Sequence, residues 1–303
     1  MLKKKTQILA LCLIIAIGAV TEMTGCGRQT LSGKTDSSFH QKKKVKTEQE
    51  PREKTLVFRD VFGKKYTTSI DPKVLANPYD PSGFVYENDR LTYTGEGYSS
   101  QLGIDVSYHQ GTIDWEKVAA DGYQFAILRI GYRGYGQSGS LNADKMFTSY
   151  YEGAKRAGLM VGVYFYAQAI NEKEAAEEAR FVLKLLGKRK LDLPIVYDPE
   201  NVLDDTARTD DVTPEQFTAN AKVFCEKIQK AGFQPMLYAN MLWEAFQLDL
   251  SSLPYPLWYA DYEKIPQTPY MFQIWQYKND GKVDGIHGNC DLNIRLIPKG
   301  DGV

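Results

Sequence analysis

The chain has 303 residues, 43% of them apolar, with 20 Tyr, 13 Phe and 4 Trp, enough for a substantial core in one large domain or two small ones. A formal net charge of −1 leaves no electrostatic footprint for nucleic acid. The 3 histidines, His40, His109 and His287, include no pair at metal-ligand spacing, which argues against a histidine-based metal centre.

Lys3, Lys4 and Lys5 precede the apolar run "ILALCLIIAIGAV", which is short for a membrane span but suits a secretory signal. Met23-Thr24-Gly25-Cys26 follows and resembles the bacterial lipobox. That resemblance implies removal of residues 1–25, a lipidated Cys26, and an extracytoplasmic protein held at the cell membrane by lipid. Cys12 leaves with the signal, so Cys225 and Cys290 remain; they form no disulfide framework or zinc pattern and are expected to be free and buried. Residues 26–54 are polar and Lys-rich and read as a disordered tether, about 28 residues spanning on the order of 30 Å. Residues 55–100 are expected to form a small β-rich extension. "LVFRDVFGKKYTTSI" predicts a hairpin turning at Gly63-Lys64, and "NPYDPSG" is turn-rich.

From residue 101 to 303, apolar strand candidates alternate with helical stretches: "LGIDVSYHQG", "FAILRIGYR", "LMVGVYFYAQ", "LPIVYDPE", "PMLYAN", "LWYADY", "MFQIWQY" and "DLNIRLI". Three junctions, "AADGYQFAIL", "KRAGLMVGVY" and "QKAGFQPMLY", place a glycine between helix and strand, as a left-handed cap requires. Asn171 with Glu174 reads as a capping box, and Thr213-Pro214 as an N-cap with Pro in the first turn. Strand–helix repeats with apolar runs predict an α/β fold, specifically an irregular β/α (TIM-like) barrel with its site at the carboxyl ends of the strands.

That rule gives the acids their meaning. Asp198 and Glu200 in "IVYDPEN" lie two positions apart on one strand and must face the same way. Adjacent carboxylates repel and raise a pKa, which suits acid–base chemistry or a cation. Asp105, Asp261 and Asp291 also sit at strand ends, although each alone could be a cap or a loop brace. Tyr108, Tyr132, Tyr164, Tyr166, Trp258, Tyr262, Trp275 and Tyr277 concentrate near the same end; much of such a set is ordinarily core, yet it suits stacking on sugar rings. "GYGQSG" mimics a dinucleotide-binding loop, but the next strand lacks the acid that would hold a ribose, so a flexible loop over the mouth is expected. No nucleophile elbow accompanies His109. Paired acids with an aromatic cleft point to glycoside hydrolysis without a cofactor or metal.

The ordered set "GIDVSYHQGTIDW", "FAILRIGYRG", "GVYFYA", "VYDPE", "LWYADY", "WQY" and "VDGIHGNCDLN", over about Gly103 to Ile297, resembles the glycoside hydrolase family 25 lysozymes, or muramidases. The resemblance implies cleavage of the β-1,4 bond between N-acetylmuramic acid and N-acetylglucosamine in peptidoglycan glycan strands by a monomer. It implies Glu200 as general acid, Asp198 as the stabilising or orienting carboxylate, and Asp105 and Asp291 as further catalytic acids. Tyr164 matches the Tyr of the family's third strand, and Tyr166, Tyr132, Trp258, Asp261, Trp275 and Gln276 are the further expected substrate contacts. Phe165-Tyr166 stands where the family often has His-Phe. For the acid pair, Asp198 is expected to ionise first and Glu200 to be the raised partner. A catalytically silent wall-binding protein and a hydrolase of another N-acetylated polysaccharide are the competing readings.

Overall fold

A computed structural model describes residues 54–203 and 205–300. The signal, the lipobox with Cys26 and all but the last residue of the tether therefore lie outside the described residues. The strands are β1 (Thr55–Arg59), β2 (Lys65–Ser69), β3 (Phe84–Glu87), β4 (Arg90–Tyr93), β5 (Tyr98–Val106), β6 (Phe125–Arg133), β7 (Leu141–Ala143), β8 (Met160–Ala167), β9 (Ile195–Pro199), β10 (Pro235–Asn240), β11 (Leu257–Ala260), β12 (Ile274–Gly281) and β13 (Cys290–Pro298). The α-helices are α1 (Trp115–Ala120), α2 (Phe147–Arg156), α3 (Glu172–Leu186), α4 (Pro214–Lys230) and α5 (Met241–Phe246).

Eight strands close a barrel in the order β5-β13-β12-β11-β10-β9-β8-β6, with β6 pairing back onto β5 and β7 hanging on β6 as a hairpin. Seven of the eight run parallel; β13 lies antiparallel to both β12 and β5. Side-chain alternation then sorts every strand into an inner and an outer face. Phe125, Ile127, Val196, Met236, Tyr238, Trp258, Ala260 and Ile274 fill the interior as one apolar cluster. Gly103 is required there, because a Cβ on it would fall 2.2 Å from the Phe125 ring. The larger cluster lies outside the wall, where residues such as Ile195, Tyr197, Phe224 and Ile228 pack α4 onto β9.

The junction glycines Gly122, Gly158 and Gly232 all have positive φ (92°, 83° and 87°), as left-handed caps before β6, β8 and β10 demand. Asn171 accepts from the Glu174 amide as N-cap of α3, but the Glu174 carboxylate reaches Ile170 and Arg208 rather than closing a box on the cap itself.

Two features depart from the regular alternation. No helix connects β11 to β12, and the chain N-terminal to the barrel covers the outer wall there instead. Tyr79 packs on Phe272 at 4.8 Å, and Phe84 meets Trp275 edge-on at 5.2 Å. Phe58 stacks on Tyr66 and on Phe246 at the end of α5. The segment before β5 belongs to the same compact unit as the barrel and contains a second hairpin, β3–β4, absent from the sequence expectation. Its turn uses Asn88 at φ 58°, the left-handed region that Asn tolerates.

Candidate active site

The inner faces of β5, β9, β12 and β13 bring the acids together at the carboxyl end of the parallel strands. Asp291 pairs in register with Asp105 across the antiparallel β13–β5 seam. Asp105 is buried, and its Oδ2 accepts from Asn293 Nδ2 at 2.8 Å and from Gln276 Nε2 at 2.9 Å. Both amides are themselves oriented: Gln276 Oε1 accepts from the Tyr238 and Tyr262 hydroxyls, and Asn293 Oδ1 accepts from Trp258 Nε1. Asp198 lies on the inner face of β9, and Glu200 lies just past the strand end, half-buried. The period-two spacing thus does place both on the mouth side.

Burial dominates the protonation of all four acids. It pushes Asp105 up to about 6 against the amide hydrogen bonds from Asn293 and Gln276. Asp291 rises to about 9, through burial and then the charges of Asp105 and Glu200. Glu200 rises to about 7 by burial; the Tyr238 hydroxyl opposes this and Asp105 adds to it. Asp198 is driven well above the usual carboxylate range by burial first, then by Glu200 and Asp105, with Arg129 pulling the other way. Both acids of the pair are thus raised. The strand carries Asp198 into the barrel, whereas Glu200 stands beyond its end, nearer solvent.

Arg129 and Asp144 escaped the sequence reading. Arg129 Nε donates to Asp144 Oδ2 at 2.9 Å, and its guanidinium lies 4.9 Å from the Tyr108 ring and 5.2 Å from that of Tyr132. Its Nη2 and Asp198 Oδ1 are both buried without a hydrogen-bond partner among the described residues. An arginine within an apolar strand pattern, "FAILRIGYR", was the available signal.

The aromatic expectations divide. Tyr164 and Tyr166 are half-buried on the inner face of β8, with Tyr166 in register beside Asp198, and Tyr132 is half-buried near Arg129. Trp258 is fully buried below them, edge-on to Tyr164 and Tyr238, and forms the floor rather than a stacking surface. Trp275 is a correction. It sits one residue out of phase with Gln276, so it points outward into the layer with Phe84 and Phe272, donating its Nε1–H to the Asp261 carbonyl. Asp261 is another: its carboxylate accepts from Tyr259 Oη and the Glu263 and Gln267 amides, bracing the loop after β11. The "GYGQSG" segment forms the β6–β7 hairpin loop, tied down by Arg133 Nη1 to the Gly139 carbonyl and by the Arg208 amide to the Tyr135 carbonyl. It opens no helix, so it makes no phosphate site. Cys225 and Cys290 are free and buried.

One buried side chain ties this framework to Glu200. Gln168, at the end of β8, donates Nε2–H to the Glu200 carbonyl at 2.7 Å and accepts at Oε1 from the Thr209 hydroxyl at 2.9 Å. Its amide N donates to Glu178, and its carbonyl accepts from Arg208, which is bidentate on Glu174.

A closed α/β barrel whose mouth gathers four carboxyls, some kept protonated near neutrality, is a barrel of the glycosyl-hydrolase kind. The chain belongs to the glycosyl hydrolases family 25, whose model matches residues 104–286. It is 26% identical over 192 residues to the autolytic lysozyme of Clostridium acetobutylicum, covering 63% of this chain but only 54% of that protein. It is also 25% identical over 215 residues to Lysozyme M1 of Streptomyces globisporus, covering 68% and 71% of the two chains. Among solved structures, a family 25 glycosyl hydrolase from Bacillus anthracis superposes with TM-score 0.54 at 24% identity, covering 69% of this chain and 94% of that one. The autolysin LytC of Streptococcus pneumoniae, solved with a synthetic peptidoglycan ligand, gives TM-score 0.59 at 22% identity, covering 80% and 56%. At these identities the structural likeness speaks to the fold alone.

Proposed function

We propose that this chain is a peptidoglycan hydrolase of the N-acetylmuramidase type, an irregular TIM-like barrel cleaving the β-1,4 bond between N-acetylmuramic acid and N-acetylglucosamine. The observation that carries the reading is the mouth: Glu200 has its proton held to about 7, beside a second inward carboxyl on the same strand. Glu200 donates that proton to the leaving glycosidic oxygen as the bond to the anomeric carbon breaks. Asp198, buried beside it, orients the reacting N-acetyl group and, in the ionised form that Arg129 favours, stabilises positive charge at the sugar. Asp105, locked by Asn293 and Gln276, and Asp291, in register beside it, set the field around Glu200. Tyr132, Tyr164 and Tyr166 offer the inward aromatic faces for the glycan. The relatives' names as lysozymes support the substrate class. We further read the protein as a monomer, lipid-anchored through Cys26 on the outer face of the cell membrane.

Reducing-end analysis of digested peptidoglycan is the test. Muramic acid ends are expected; glucosamine ends or none would overturn the assignment. Glu200→Gln should leave folding intact and lower turnover by several orders of magnitude.

A further inference from the structure

Eleven large apolar side chains are exposed among the described residues, and five of them gather in one region: Val57, Val61 and Phe62 on the β1–β2 hairpin, Phe246 under it and Ile265 beside it. Val61 (64% exposed) and Phe62 (49%) stand at the tip. The turn that presents them is held firmly. Asp60 Oδ1 accepts from the Phe62 and Lys64 amides at 2.9 Å, Asp60 Oδ2 accepts from Tyr66 Oη, and Arg59 Nη1 donates to the Gly63 carbonyl. Below the tip, Gln267 clamps β1 by accepting from the Arg59 amide and donating to the Arg59 carbonyl. The two apolar tips therefore cannot fold back onto the barrel.

Bases ring them. Arg59, Lys64, Lys65 and Lys264 are all exposed, and none is in an ion pair among the described residues. Of the nearby acids, Asp60 is consumed by the turn and Glu263 alone is exposed. The patch is thus locally cationic on a chain of net charge −1.

We propose that this hairpin docks on an anionic lipid surface, with Val61 and Phe62 entering the headgroup–acyl boundary and the surrounding bases meeting lipid phosphates. Apolar tips with a basic collar match that interface chemically. The tip itself offers one aliphatic and one phenyl side chain, and its one carboxylate, Asp60, is committed to the turn, so it has little to accept from sugar hydroxyls. The loop that clamps the hairpin leaves β11 at the end where the acids converge, so docking brings the mouth within reach of glycan close to the membrane. The proposal needs neither lipidation of Cys26 nor the muramidase assignment.

The test places a reporter at the tip of the full chain, Phe62→Trp. All four native tryptophans, Trp115, Trp243, Trp258 and Trp275, are buried and give a background that membrane bromine does not reach. With phosphatidylglycerol vesicles brominated on the acyl chains, the introduced indole should shift to the blue and be quenched at least about twofold. Lys64→Glu with Lys65→Glu in the same background should abolish the quenching. Attachment through residues 1–53 does not mimic this readout, which reports depth at the tip alone. An indole left unquenched, whether or not the protein sediments with vesicles, overturns the proposal. So does a blue shift produced by isolated wall sacculi and not by vesicles, which would assign the patch to the wall.

Discussion

At the scale of single residues, the protonation of Glu200 is the most exposed point. Burial and Asp105 raise it to about 7, and mutual repulsion couples it to Asp198. The alkaline limb of kcat/KM should therefore fall near that pH as Glu200 loses its proton. Asp105→Asn should move the limb to lower pH, because it removes the like charge. Asp198→Asn should cut activity severely and also move the limb of the residual rate to lower pH, because repulsion between the two carboxylates is reciprocal. Rate–pH profiles of the three proteins check this, and a limb unmoved in both mutants would leave burial alone to hold the proton. Gln168 offers a second residue-scale case. Its amide orientation is fixed by the Glu200 carbonyl, since a flipped side chain would set oxygen against oxygen there. Gln168→Leu should lower kcat about ten- to a hundredfold with KM little changed, as a mispositioned acid does. The alkaline limb should also shift down, because a Glu200 relaxed toward solvent loses part of the burial that raises it; an unmoved limb would mark Gln168 as structural only.

Elements were legible where one local cause decides them. The eight barrel strands are apolar runs, and their glycine caps announce where helices end. The β9 spacing announced that Asp198 and Glu200 share a face. What was illegible depends on phase and on distant cover. Trp275 and Gln276 are neighbours on β12, and only the closed barrel decides which of them points inward. Asp261 looked like a mouth acid because it ends β11, but its carboxylate is committed to the loop that Gln267 closes. Arg129 was hidden inside an apolar strand. The β3–β4 hairpin is short, with nothing local to show that it would stand in for an absent helix. Trp275 supplies the test of that substitution. Trp275→Ala should destabilise the fold by about 3–5 kcal/mol, as loss of a fully buried indole does, with KM unchanged in the surviving folded protein. Urea unfolding with parallel kinetics measures both, and a raised KM at unchanged stability would return Trp275 to the glycan site.

For the whole molecule, buried carboxyls make stability depend on pH. Glu244, buried in α5 with Thr268 Oγ1 donating to its Oε2, is pushed from 4.5 to about 8. Below about 4.5 both folded and unfolded chains hold that proton, so its contribution is complete. Between there and about 8 only the folded chain keeps it, and stability declines as pH rises, by at most about 1.4 kcal/mol per pH unit for one proton. Glu244→Gln should remove this part of the slope, so melting temperatures of mutant and wild type should converge toward pH 4 and separate, mutant higher, toward pH 8. A constant difference across that range would mean Glu244 does not hold its proton.

The reversed strand β13 has a consequence for how the chain is made. It is inserted between β5 and β12, so the first and last strands of the barrel are neighbours and the ring cannot close until residues 290–298 have left the ribosome. Asp105 likewise waits for Asn293 and Asp291 from the opposite end of the sequence. Contacts of such sequence separation are slow to form, because loop closure must be overcome before the contacts stabilise anything. A nascent chain therefore stays open, and its acid cluster unassembled, throughout synthesis. The hydrolytic mouth comes into being only after the last strand has docked.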